Sequence, residues 1–124
     1  MFASVRDIDL VQAQAMLTVR FCGVLAAVKH GSRTIARDGS IILTSGMLTH
    51  RPRKRAPLVT AVGGLIESFT RGLALDLAPV RVNAVCPGMT LTEQVERMPE
   101  SVLQSAVSQL PVPRAASPVE AAQA

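Results

Sequence analysis

"LALDLAPVRVNAVCPGMTLT", residues 73–92, decides the fold. Its first residues continue an apolar pattern with helical spacing, and Pro79 stops that pattern, because proline offers no N–H to the helix ladder and its ring clashes with the preceding turn. "VRVNAVCPG", residues 80–88, follows as a β-branched run ended by Pro-Gly, which reads as a strand closed by a turn. Upstream, "SIILTS" at 40–45 comes after the "RDG" loop at 37–39 and is a second β-branched run, best fitted by a buried strand. Between the two lies a helix predicted over 57–78. Pro57 suits its first turn, and Leu58, Val62, Leu65, Ile66, Phe69 and Leu73 form its buried stripe. Strand, long helix, strand, with the helix filling most of the connection, is a right-handed crossover in a parallel sheet. The expected class is therefore α/β: a partial Rossmann-like parallel sheet flanked by long helices. Ligands in such sheets bind beyond the carboxyl ends of the strands, which points to the residues after Thr44 and after Val85.

A first helix is predicted from residue 5 to about 30, with Ser4 and Asp7 as its capping pair. Ile8, Val11, Ala15, Val19, Cys22 and Ala26 recur at three- and four-residue steps and are expected to face the core. Gly63 and Gly64 lie inside the second helix, each costing about 1 kcal/mol relative to alanine, which implies that something packs closely against them. In the tail, Thr92 is a candidate helix cap, Pro99 starts a helical run, and "SPVE" at 117–120 carries the serine, proline and glutamate of a helix start. Only "AAQA" follows, and a helix that short is marginal in water, where roughly 12 residues are needed. Two strands are also few for an open sheet with helices on both faces. Both features predict a single partial domain over 1–124, truncated at both ends.

Apolar residues make up 48% and charged residues 18% of the 124, and mean hydropathy is +0.32, which excludes a disordered chain. Phe2, Phe21 and Phe69 are the only aromatics, too few for base stacking. Cys22 and Cys86 show no CxxC and no metal-ligand spacing to His30 or His50. They are expected to be buried free thiols in a reducing compartment, with no metal. The N-terminus lacks a signal-peptide pattern, and the longest apolar run, within "FCGVLAAV", is far short of the roughly 20 residues that span a bilayer. A cytoplasmic protein with no membrane partner is expected. Much of the net charge of +4 is concentrated in "HRPRKR", residues 50–55. It reads as a solvated loop in preference to a phosphate or nucleic-acid site built on Arg51, Arg53, Lys54 and Arg55, so no nucleic-acid partner is expected.

Taken together, "GSIILTSG", "ESFTRGLALDLAPVRVNAVCPGMTLTE" and the helix around "LTVRFCGVLAAVKH" resemble the second half of a short-chain dehydrogenase/reductase, over nearly the whole chain. The resemblance implies a nicotinamide-dependent oxidoreductase, using NAD or NADP, with a tetrad of Asn, Ser, Tyr and Lys. Position by position, the tetrad is absent. The family's asparagine falls on Arg20, its serine on Gly46, its tyrosine on Val59 and its lysine on Gly63. Ser45 stands one residue early, and by strand parity should point away from the side that Gly46 faces. In the family the tyrosine is the general acid or base, the lysine lowers its pKa and holds the nicotinamide ribose, and the serine orients the carbonyl. Val59 and Gly63 have no titratable group, and His50 or Lys54 would replace them only by loop geometry. "PGMTLT" keeps the turn that contacts the nicotinamide carboxamide in the family, which makes Pro87, Gly88, Thr90 and Thr92 the candidate cofactor contacts. The family's glycine-rich phosphate loop has no counterpart in this sequence.

The expected function is accordingly that of a truncated, catalytically degenerate short-chain oxidoreductase. The alternative is an interaction or oligomerisation module using the helices at about 5–30 and 57–78, which pair between subunits in the family. Gly63, Gly64 and Gly72 would allow close backbone approach, so a homo-oligomer is the expected partner state.

Overall fold

The computed structural model describes residues 2–123. They fall into two compact units, Met1–Cys86 and Pro87–Ala124.

The first unit opens with a 3-10 turn, Val5–Asp7, followed by α1 (Leu10–Leu17) and α2 (Gly23–Gly31), joined without a break by a π-helical segment, Thr18–Cys22. The cap is Asp9, not the predicted Ser4. Its carboxylate accepts the N–H groups of Val11 at 2.8 Å and Gln12 at 3.2 Å, whereas Ser4 makes no side-chain cap bond. A carboxylate satisfies the orphan donors and also favours the positive end of the helix dipole, so the helix starts where the anion stands. The expected buried stripe is also corrected. Val11, Ala15, Val19, Cys22 and Ala26 are exposed, while Ala13 and Val28 are buried and Phe21 and Val24 half-buried. Mean hydropathy along Leu10–Gly31 reaches 1.5. A helix apolar on more than one side gives periodicity no means of choosing its inner face.

Strands β1 (Ser40–Thr44) and β2 (Arg81–Val85) pair in parallel, in register from Ser40 opposite Arg81 to Thr44 opposite Val85. The chain between them makes a 3-10 turn, Met47–Thr49, crosses the exposed basic loop and enters α3, Pro57–Asp76, with Pro57 in the first turn as predicted. Val28, Leu43, Ile66, Leu73 and Val82 form the core, with Phe21, Val24, Ile41, Phe69 and Leu77 packed against it. The rings of Phe21 and Phe69 meet edge to face at 5.3 Å, a favourable arrangement of aromatic quadrupoles that ties the first helix to α3. The strand expected to be buried is covered on one side only: Leu43 is 8% exposed and Ile42 64%. Helices Leu10–Gly31 and Pro57–Asp76 are both long and apolar enough, by composition alone, to cross a bilayer. In the structure Phe21 of the first and Phe69 of the second pack against the sheet core.

The second unit holds α4 (Glu93–Glu96), α5 (Glu100–Val107) and α6 (Pro118–Ala122). Thr90 bridges Ala116, with Leu91 N–H donating to the Ala116 carbonyl and Ala116 N–H to that of Met89, each at 2.8 Å. The capping box at Ser117 and Glu120 forms as predicted, and Arg114 reaches both carboxylate oxygens of Glu120. Those side-chain bonds hold a helix too short to persist on its own backbone. Thr92 occupies the N-cap position of α4 but makes no side-chain cap bond.

Candidate functional site

The ladder continues one residue past β1, where Ser45 N–H donates to the Val85 carbonyl at 2.9 Å. Ser45 and Cys86, the first residues beyond the two strands, are thereby brought side by side at the sheet's carboxyl end. His50, at the end of the 3-10 turn, and Glu67, midway along α3, complete the group. Glu67 Oε1 gathers all three partners. The Ser45 hydroxyl donates to it at 2.8 Å and the Cys86 thiol at 3.2 Å, and His50 Nε2 lies 3.1 Å away. Ser45 Oγ is also 3.2 Å from the Gly63 carbonyl oxygen and 3.4 Å from Thr49 Oγ1. The Glu67 side chain is 14% exposed and that of His50 61%, so the carboxylate is held inside and the imidazole faces out.

These contacts set the electrostatics. The bonds from Cys86 and then Ser45 pull the Glu67 pKa below its ordinary 4.5, against the opposing effect of burial. The Cys86 thiol is pushed above its ordinary 9.0, first by local desolvation of the sulfur, although the residue as a whole is exposed, and then by donating to Glu67. The thiol is thus kept protonated, which makes it a poor nucleophile. Both cysteines are free, yet exposed, contrary to the expectation of buried thiols. Cys22 ends the π-helical segment on the outer face, and Cys86 stands where β2 leaves the sheet.

At Arg20, Gly46, Val59 and Gly63, onto which the resemblance laid the tetrad, no side chain hydrogen-bonds to Glu67. A side chain at Gly46 would meet nothing within 4 Å. At Gly63 a Cβ would run into Thr49 Oγ1 and lie 3.2 Å from Ser45 Oγ, so the space beside Gly63 is already filled. Val59 is half-buried, and Arg20 is exposed on the π-helical segment. Ser45 turns towards α3, and His50 is tied to Glu67. Pro87, Gly88, Thr90 and Thr92 belong to the second unit, where the Thr90 hydroxyl donates to the Gly88 carbonyl at 3.3 Å. The basic loop 51–55 is exposed, and Arg55 takes a positive φ of 63°, a conformation that side chains other than glycine seldom adopt.

Glu67 is the residue that sequence reasoning missed. Its signal was present: a carboxylate among apolar neighbours in mid-helix, four residues after Gly63 and so on the same helix face.

A parallel crossover with its polar side chains at the strand ends defines a Rossmann-like α/β chain. The model of a family described as enoyl-(acyl carrier protein) reductase matches residues 1–124. The chain belongs to the short-chain dehydrogenase/reductase family of oxidoreductases. It is 34% identical over 122 residues to glucose and ribitol dehydrogenase homolog 2 of Arabidopsis thaliana, covering 96% of this chain and 42% of that protein. It is 36% identical over 93 residues to the short-chain dehydrogenase/reductase ucsE of Acremonium sp, covering 71% of this chain and 35% of the relative. Among solved structures, that of a small-chain dehydrogenase in complex with NADPH superposes with a TM-score of 0.91 at 36% identity, covering 98% of this chain and 57% of the other. The chain thus spans about half or less of the length of these relatives.

Proposed function

We propose that this chain is a catalytically degenerate short-chain oxidoreductase homologue, with its two units parts of one Rossmann-like domain, and that it does not transfer hydride by itself. One observation carries this reading: the space at Gly63, where the family's lysine stands, is taken by Thr49 and Ser45, and Val59 one turn earlier has no proton to give. Without an acid and the cation that tunes it, the carbonyl oxygen formed or consumed in hydride transfer has no proton partner. Pro87, Gly88, Thr90 and Thr92 are the proposed remnant of the nicotinamide contact. A relative solved with NADPH supports the choice of NADP or NAD as the ligand class. The purified chain is expected to give no turnover of NADH or NADPH over a panel of ketones and quinones. Amide hydrogen exchange is expected to slow around 86–92 when NADPH is added. Turnover dependent on the pure chain overturns the first statement, and exchange unchanged by cofactor overturns the second.

A second reading, the interaction module using the helices at about 5–30 and 57–78, draws on the exposed apolar stripe on α1 and α2. Val11 is 78% and Val19 72% exposed, and Ala15, Cys22 and Ala26 continue the same face. We propose that a second copy of the chain covers it, as the pairing of long helices between subunits in the family suggests. Two exposed free thiols suit a reducing, cytoplasmic setting for such an assembly.

A further inference from the structure

We propose that Cys86, His50 and Glu67 form a binding site for a divalent transition-metal cation, with Zn2+ the ion best matched by the donors. Three residue types that ligate metals arrive from three separate elements, and their ligand atoms all lie within 4.8 Å of one another. The triangle they make has edges of 3.1 Å from Glu67 Oε1 to His50 Nε2, 3.2 Å from Glu67 Oε1 to Cys86 Sγ, and 3.9 Å from Cys86 Sγ to His50 Nε2. Tetrahedral zinc, with bonds of about 2.0 Å to nitrogen and oxygen and about 2.3 Å to sulfur, sets its donors roughly 3.3–3.6 Å apart. The cluster is therefore close to one face of that tetrahedron before any ion arrives, and only the outward-facing His50 has to swing closer to the thiol. Three protein donors leave a fourth position of the tetrahedron for water or a small ligand.

The donor set also selects the ion. One thiolate, one imidazole and one carboxylate suit zinc or cobalt, and suit poorly the hard cations that take only oxygen. The two anionic ligands balance a charge of +2. On binding, Cys86 releases its Sγ–H proton to solvent and the sulfur lone pair forms the bond to the metal. His50 binds as the neutral ring through Nε2, Glu67 binds as the carboxylate, and nothing is oxidised or reduced. Ser45, donating to Glu67 Oε1 at 2.8 Å, fixes the orientation of the carboxylate from behind. The proposal stands independently of hydride transfer, since none of these side chains sits at Gly46, Val59 or Gly63.

Co2+ titrated into the reduced full chain is the test, with Zn2+ as competitor. The expected result is a thiolate-to-cobalt charge-transfer band and the intense visible bands of a four-coordinate ion, saturating at a single site and abolished by Zn2+. Cys86→Ser removes the charge-transfer band, His50→Ala and Glu67→Gln weaken binding, and Ser45→Ala weakens it about 10–100-fold. Cys22→Ser leaves the spectrum unchanged. An arm that needs no variant to fold uses the wild-type chain, in which Zn2+ protects Cys86 but not exposed Cys22 from alkylation. No cobalt band together with unprotected Cys86 overturns the proposal, and so does a band that persists in Cys86→Ser.

Discussion

At the scale of single residues, Glu67 organises the site by accepting from a hydroxyl and a thiol through one carboxylate oxygen. Its folded pKa lies below the ordinary 4.5, so the stability these bonds supply is present above pH 4.5 and is lost as pH falls through the lower, folded value. Glu67→Gln is expected to flatten that acid limb in denaturant midpoints measured across the range, while the alkaline side is left to Cys86. The raised thiol pKa there means stability falls as pH climbs above 9.0. Gly63 offers a second test. Gly63→Ala removes the helix penalty of about 1 kcal/mol but drives a methyl into Thr49, and such overpacking costs typically about 1–3 kcal/mol. The substitution is therefore expected to destabilise the wild-type chain and to stabilise a Thr49→Ala background, a sign change that a double-mutant cycle reads directly.

At the scale of elements, the strands, α3 and the capping box at Ser117 were legible, because Pro57, Pro79 and the serine-proline start at 117–118 punctuate the chain with local physics. The first helix was less so. Its true start at Asp9 and its inner face were hidden, since apolar residues ring it and the choice of face is made by Phe21 packing against Phe69 across the fold. Half of the site was legible in principle: the parallel crossover pointed to the residues after Thr44 and Val85, and Ser45 and Cys86 stand there. Glu67 carried a signal in its mid-helix setting, but nothing local to α3 or the basic loop says that it and His50 meet. The outward face of α1 and α2 carries its own prediction. Val19→Asp is expected to shift sedimentation of the chain towards the single-copy mass while leaving helix content by circular dichroism unchanged. A profile that is already single-copy in the wild type at high concentration removes the assembly.

At the scale of the whole molecule, the chain belongs to the oxidoreductase family, and the catalytic degeneracy proposed for it would describe a scaffold that outlasts its chemistry. The Rossmann-like frame rests on Leu43, Ile66, Leu73 and Val82, whereas an activity rests on particular side chains grafted on that frame, so the one can persist without the other. The parallel ladder has a further consequence, one of timing. Each rung joins residues as distant in sequence as Ser40 and Arg81, so no tight turn can nucleate the pair, and loop closure must be met before the first rung forms. α3, being local, can form early and carry Val82 back towards Leu43. The order of assembly is then helix first and sheet last, and the Ser45–Cys86 juxtaposition is among the final features to appear as the chain folds.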